Sequence, residues 1–350
     1  MVDWKKLGEI CELERGVRVI KKDLQQEGLI PVYQNSLTPL GYFDKSNYPE
    51  CTPFVICAGA AGEVGFCSKP FWAADDCTCI LCSSLANKKY IYYCLLVNQH
   101  TLKSQVRKAS VPRLSKDVIG KLVIPIPSLE EQARIVSILD TFTSSIDNLK
   151  QQIAQRRKQY EYYRDQLLDL EGKEGVAMKT LGDVCQINAG GDVPKDSFSD
   201  CKTEHYCVPI ISNGVGEKAF YGYTDLAKIS KPSVTIAARG TIGYAEYRAY
   251  PYYPIVRLIS VTPLLDNVLN AKFLYYKLIK QNYSVSTSGI PQLTIPMVKM
   301  IIIPVPSLSE QQRIVSILDT FEASIRNLEQ QLAQREKQYE YYRNKLLTSE

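Results

Sequence analysis

The sequence has no apolar run approaching the roughly 18 residues that a membrane-spanning helix requires, so no membrane association is expected. No apolar stretch follows the charged start Met1-Val2-Asp3-Trp4-Lys5-Lys6, and a secretory leader is not expected either. Histidine is scarce. His100 and His205 have no convincing Ser, Cys or acidic partners for a nucleophilic triad. No Gly-x-x-x-x-Gly-Lys-Ser/Thr loop occurs, so ATP-driven movement is not built in. The chain lacks any Pro-Pro pair, and with it the Pro-Pro-Tyr/Phe tetrapeptide of amino-methyltransferases. Asp75-Asp76 is the one tight carboxylate pair; neighbours on a strand face opposite ways, which favours a turn over a shared metal. Charge of one sign is also lacking, since 42 Lys and Arg against 37 Asp and Glu leave only +5. No catalytic residue and no metal site are therefore expected.

What is present begins with 11 cysteines, an odd number that points to reduced, cytosolic thiols. Cys77, Cys79 and Cys82 form a cluster without a second ligand pair, and Cys201, His205 and Cys207 a looser one. Both read as small side chains, not as zinc ligands. At 350 residues, 45% of them hydrophobic, the chain is too long for one compact core.

An internal repeat organises it. Ile124-Pro-Ile-Pro-Ser-Leu-Glu-Glu-Gln-Ala-Arg-Ile-Val-Ser-Ile-Leu-Asp-Thr-Phe142 recurs, largely identical, from Ile303 to Phe321; Lys158-Gln-Tyr-Glu-Tyr-Tyr-Arg164 recurs from Lys337 to Arg343. The preceding segments repeat only in islands. Leu7-Gly8 aligns with Leu181-Gly182, Gly62-Glu-Val-Gly65 with Gly240-Thr-Ile-Gly243, and Pro112-Arg113-Leu114 with Pro291-Gln292-Leu293. Two lobes thus share a scaffold and differ on their surfaces.

The near-identical segments are long helices. Ser128 with Glu131, and Ser307 with Glu310, each read as a capping box. Apolar positions then alternate four and three apart: Ile135, Leu139, Phe142, Ile146, Leu149, Ile153, Arg156, Tyr160 and Tyr163. The second copy gives Ile314, Leu318, Phe321, Ile325, Leu328, Leu332, Arg335, Tyr339 and Tyr342. That heptad seam is a coiled coil, in which Arg156 and Arg335 read as register-fixing interruptions. Forty residues make a rod of roughly 60 Å. Antiparallel pairing within the chain suits one intervening lobe, although each helix could pair with another chain instead.

The lobes read as α+β. Val17–Ile20, Phe54–Cys57 and Leu122–Ile126 are expected strands in the first, and Ile210–Ile211, Val234–Ala238 and Val256–Val261 in the second. Asn87 is expected to cap a helix through Val97, and Asn270 one through Gln281. The division is 1–123, 124–171, 172–302 and 303–350. The charge follows it: each lobe carries +4, while the helices carry −2 and −1. Two basic lobes suit a ligand with a repeating negative backbone.

Local chemistry points the same way. The first lobe offers Arg15, Arg18, Lys21, Lys22, Gln34, Asn35, Lys103, Gln105, Arg107 and Lys108 as candidate nucleic-acid contacts. The second offers Ser212, Asn213, Lys218, Tyr221, Tyr223, Arg239, Thr241, Arg248, Ser286 and Ser288. Arg, Lys, Asn and Gln on glycine-containing loops can read base edges, and Ser, Thr and Tyr commonly meet phosphates. Solvated turns would have a similar composition.

The paired Ile-Pro-x-Pro-Ser-Leu-x-Glu-Gln-x-Arg-Ile-Val segments at 124–136 and 303–315, and the Tyr-Glu-Tyr-Tyr-Arg helix ends, resemble the DNA-specificity subunits of type I restriction–modification systems. The likeness runs through the whole chain in the order lobe, helix, lobe, helix. It implies two target-recognition domains, each reading one half of a bipartite, asymmetric double-stranded DNA target, and an antiparallel coiled coil that sets the unread gap. It implies docking of two methyltransferase subunits and two restriction subunits in the prokaryotic cytoplasm. The chain would have no cofactor of its own; S-adenosylmethionine, ATP and magnesium would belong to the partners. A coiled-coil scaffold that holds proteins without binding DNA is the alternative.

Overall fold

The computed structural model describes residues 2–20, 22, 24–108, 110–283 and 291–348. The chain divides into two units, Met1–Gln152 with Leu328–Glu350, and Ile153–Asn327.

The first unit contains β1 (Asp3–Lys6), α1 (Leu7–Ile10), β2 (Cys11–Arg15), β3 (Ile30–Tyr33), β4 (Gly41–Phe43), β5 (Thr52–Ile56), β6 (Val64–Cys67), β7 (Trp72–Ala73), β8 (Cys77–Cys82), α2 (Lys88–Val97), α3 (Gln99–Ser104), α4 (Lys116–Gly120) and β9 (Val123–Ile126), then the first half of α5 (Leu129–Leu168). Its sheets run β2-β8-β5-β6, β4-β3-β7 and β1-β9. The second unit repeats the plan. It has β10 (Ala177–Thr180), α6 (Leu181–Val184), β11 (Cys185–Ala189), β12 (Val208–Ile211), β13 (Phe220–Thr224), β14 (Ser233–Ala237), β15 (Ala245–Arg248), β16 (Tyr253–Pro254), β17 (Leu258–Pro263), α7 (Ala271–Leu278), α8 (Ile295–Lys299) and β18 (Ile302–Val305), then the first half of α9 (Leu308–Leu347). Its sheets run β11-β17-β14-β15, β13-β12-β16 and β10-β18, the same orders strand for strand. The fold is α+β, twice over, with two long helices.

Three sequence expectations change in detail. Val17–Ile20 is not a strand: the chain leaves β2 after Arg15, and Val17 and Ile20 are exposed, with Val17 bonded only singly through its N–H to Ala73 O at 2.9 Å and its carbonyl to Trp72 Nε1 at 2.8 Å. The strand expected from Val256 starts at Leu258, because Val256 and Arg257 turn at φ +26° and +60°. Each capping box is only half formed. The Glu131 and Glu310 amides donate to Ser128 and Ser307 Oγ at 3.3 Å, while their carboxylates pair with Arg134 and Arg313 one turn on. A cation three residues away in helical register is a better partner for a carboxylate than a neutral amide.

The repeated helix motif fastens each lobe to its helix. Gln132 is fully buried; its Oε1 accepts from the Asn87 amide at 2.8 Å, and its Nε2 donates to the Leu85 and Pro127 carbonyls at 3.1 and 2.9 Å. Gln311 repeats this with Asn270, Val268 and Pro306 at 2.8, 2.9 and 2.9 Å. Asn87 and Asn270 in turn cap α2 and α7. Asp140 takes Tyr93 Oη at 2.6 Å and Lys89 Nζ at 2.8 Å; Asp319 takes Tyr276 Oη and Lys272 Nζ. In both copies the glutamine and the aspartate of the motif find their partners on the lobe, while its glutamate and arginine pair with each other along the helix.

Within each unit, half of α5 packs against half of α9, so the helix pairing is intramolecular. In the first unit, Phe142 stacks on Tyr342 at 5.4 Å and lies beneath the Arg335 guanidinium at 5.7 Å, while Lys150 pairs with Glu336 at 3.4 Å. Numbers rise along one helix as they fall along the other, which makes the pair antiparallel. In the second unit, Phe321 stacks on Tyr163 at 5.5 Å under Arg156 at 5.9 Å, and Tyr160 Oη donates to Glu322 at 3.1 Å. Ile135, Leu139, Ile146, Ile153, Ile314 and Leu318 are buried. Leu149, Ile325, Leu328, Leu332 and Tyr339 are half-buried, and Tyr163 and Tyr342 form the exposed margins. The arginines that interrupt the apolar seam thus sit on phenylalanine faces, each worth about 1 kcal/mol. A double-mutant cycle of Arg335→Met and Phe142→Leu, followed by urea unfolding, should return a coupling of about that size. Additive losses would show that the guanidinium is merely nearby.

Candidate nucleic-acid interface

In the first unit four separate segments converge. β2 ends in Arg15, whose Nε donates to the Asp75 carbonyl at 2.6 Å. Gly16 makes this approach possible: a Cβ there would lie 2.2 Å from the Ala74 carbonyl oxygen. After β3, Gln34 Nε2 donates to Asp76 Oδ2 at 3.3 Å, and the Asn35 carbonyl accepts from the Ala60 amide at 2.9 Å. The β5–β6 turn needs Gly59 and Gly62, at φ +80° and +89°. The last segment returns on itself through backbone bonds between Arg107 and Arg113 and joins the sheet through Leu114 N–H to Cys57 O at 2.9 Å.

Between them lies a cleft of about 520 Å³ lined by Arg15, Arg107, Arg113, Lys116, Asp75 and Asp76. Four cations against two carboxylates leave the cleft basic. Cys57 also lines it, but burial raises its thiol pKa, and Thr78 Oγ1 lies 3.1 Å from its sulfur. At neutral pH it is a thiol and a poor nucleophile. Asp75-Asp76 forms a turn, and Cys77 and Cys79 are buried on β8. Among the described residues, no group of three or more His, Cys, Asp or Glu side chains could hold a metal. Among the described residues, no helix is long and apolar enough to cross a membrane either.

The second unit brings equivalent segments together. Asn213 Nδ2 donates to the Arg239 carbonyl at 3.2 Å, Arg239 Nε donates to Gln292 Oε1 at 3.1 Å, and Leu293 N–H donates to Ala238 O at 2.9 Å. Its β14–β15 turn has Gly240 and Gly243 at φ +72° and +85°. The bonds Gly62 N–H to Ile56 O and Gly243 N–H to Ala237 O are equivalent. Gly59 and Gly62 therefore correspond to Gly240 and Gly243, a correction to the alignment of Gly62 and Gly65 with that pair. Gly65 lies on β6, where a Cβ would strike the Phe54 ring.

The sequence candidates divide accordingly. Arg15 and Arg107 line the first cleft. Arg18, Lys22, Asn35, Gln105 and Lys108 are exposed on its loops, Gln34 is half-buried, and Lys103 packs beside Gly62, 3.8 Å from Glu63. In the second unit, Lys218, Tyr221 and Thr241 are exposed, and Tyr223 lies edge-on to Phe220 at 4.9 Å. Ser212 fastens its own loop, with N–H and Oγ both donating to Ala219 O. Arg248 is buried, with its guanidinium on Glu246 at 2.8–2.9 Å and on Tyr250 Oη at 3.0 Å, so its charge is spent inside the lobe. Lys21, Ser286 and Ser288 lie outside the described residues. Arg113 and Lys116, which line the cleft, and Gln292, which holds Arg239, are not among the sequence candidates. The available signal for Arg113 and Gln292 was that they differ within an otherwise repeated Pro-x-Leu.

Paired lobes of one design, each with the same loops gathered at one place and different side chains on them, define a duplicated recognition protein. The family model for the type I restriction modification DNA specificity domain matches residues 1–156 and 173–337. The chain belongs to that family. It is 30% identical to S.MpnORF507P of Mycoplasma pneumoniae, assigned as a type I specificity subunit, over 97% of this chain and 96% of that one. It is 29% identical to the type I restriction enzyme EcoR124I/EcoR124II specificity subunit of Escherichia coli, over 99% and 94%. The crystal structure of a type I restriction–modification S subunit from M. genitalium covers 99% of this chain and 96% of that one, with a TM-score of 0.73 at 19% identity, a likeness of fold.

Proposed function

We propose that each lobe reads one half of a bipartite double-stranded DNA target and that the chain is the sequence-recognition subunit of a type I restriction–modification enzyme, without catalysis of its own. The observation that carries this reading is the basic cleft of the first lobe, built on a scaffold that the second lobe repeats with different side chains. In this reading residues 1–123 and 172–302 are the recognition domains, and 124–171 and 303–350 are the helices that set the unread gap. The helices also present the same docking surface twice, including the edge-on pairs Tyr162–Tyr163 and Tyr341–Tyr342, each at 5.3 Å. Two methyltransferase subunits dock there and carry S-adenosylmethionine. Two restriction subunits, with ATP and magnesium, complete the assembly in the prokaryotic cytoplasm.

Within the first lobe, Arg15, Arg107 and Lys116 meet the duplex, while the exposed Arg18, Lys22 and Lys108 add phosphate contacts. Arg248 acts from inside the second lobe, where it pairs with Glu246 on its own strand and donates through Nε to Thr235 on β14.

Exchanging residues 12–110 for those of another family member, in the complex with the methyltransferase, should change one half of the methylated motif and leave the other intact. Long-read sequencing of host DNA reads this directly. Change in both halves, or in neither, sinks the two-reader arrangement. Failure of the complex to bind duplex DNA with an affinity that falls as salt rises would leave a protein scaffold instead.

A further inference from the structure

The segments that line the first unit's cleft can be matched to their second-unit equivalents through backbone bonds. Leu114 N–H on Cys57 O corresponds to Leu293 N–H on Ala238 O, both at 2.9 Å. Ala58 and Arg113, which form an isolated antiparallel bridge, therefore occupy the places of Arg239 and Gln292. Each pair contains one arginine, but on opposite members. In the first unit it stands on the returning segment above a buried alanine; in the second it stands on the turn, held by glutamine.

Contacts that only position a duplex serve every half-site alike and gain nothing by moving. Base contacts must move with the base. A guanidinium offers two parallel donors, which match the O6 and N7 acceptors that guanine shows in the major groove. Among the described residues no side chain bonds the Arg113 guanidinium, which lines the cleft free to donate both. Arg239 donates through Nε to Gln292, which orients its remaining donors.

We propose that these paired positions specify a guanine in each half-site, through Arg113 in the first unit and Arg239 in the second. The assignment rests on the DNA-reading function proposed above and names a residue in each lobe that carries its specificity. The test uses the full chain in complex with its methyltransferase, and host genomic DNA as the probe, with methylated motifs read by long-read sequencing. Arg113→Lys keeps the charge and loses the fork. It should admit other bases at one former guanine of one half-site, with discrimination falling about 5- to 150-fold. Arg113→Gln should do the same, and Arg239→Lys should relax one guanine of the other half-site only. Methylation that drops evenly at all sites with an unchanged motif would make these arginines phosphate contacts and overturn the assignment. A wild-type complex that leaves no bipartite motif overturns the DNA-reading function itself, and this assignment with it; an intact wild-type motif that both lysine variants preserve overturns the assignment alone.

Discussion

Alanine at Gln132 is expected to destabilise the first unit by about 3 kcal/mol, although the residue touches neither cleft nor helix seam. Its amide joins three backbone groups, the Asn87 amide and the Leu85 and Pro127 carbonyls, in a site with no access to water. Truncation leaves these groups unsatisfied at about 1–3 kcal/mol for each that finds no new partner, with a small cavity besides. Glutamate is the sharper variant. It has nearly the same shape, but its carboxylate cannot donate to the two carbonyls and would be buried unpaired. For a unit of this size, 3 kcal/mol is a fall of roughly 6–12 °C in Tm. Gln311→Ala should do the same to the second unit. A melting temperature unmoved by either variant would show that water replaces the amide, and that the motif is retained for some other reason.

The second large effect concerns the spacing of the half-sites. Gln152 and Gln331, equivalent in the repeat, line one polar groove of the helix pair. Four residues inserted after each add about 6 Å of helix. Four is close to the 3.6 residues of a turn, so the apolar stripe returns about 40° out of phase and the seam survives with local unwinding. The methylated motif should then gain one or two base pairs in its gap and keep both half-sites. Two residues inserted at the same points rotate everything beyond by about 200° and turn the stripe outward, so that variant should lose methylation altogether. A four-residue variant with an unchanged gap would remove the helices as the ruler.

The contrast between helix and cleft explains what could be read in advance. The heptad positions from Ile135 and from Ile314 could be read because helical neighbours recur every three or four residues. Even the interrupting Arg156 and Arg335 stood out as exceptions to a period. Their partners, the faces of Phe321 and Phe142, lie far along the chain and left no trace. Strand order was equally hidden: β8 lies between β2 and β5 because sheets pair residues many positions apart. Arg248 reads as a loop cation, yet it ends β15 on the same face as Glu246, two residues before it, and the two satisfy each other. The period of two was present but too short to see.

By itself, the sequence determined that this chain is one design used twice: two long seamed helices, capped at Ser128 and Ser307, bearing basic lobes. These are properties of spacing and local bonding, which a linear pattern records. Only the tertiary structure decided which cations share a cleft, that Gly59 and Gly62 are the counterparts of Gly240 and Gly243, and that Arg113 answers to Gln292. Those facts depend on backbone bonds between residues some 50 positions apart, such as Cys57 to Leu114 and Ala238 to Leu293. No periodicity connects such residues until the sheet has brought them together.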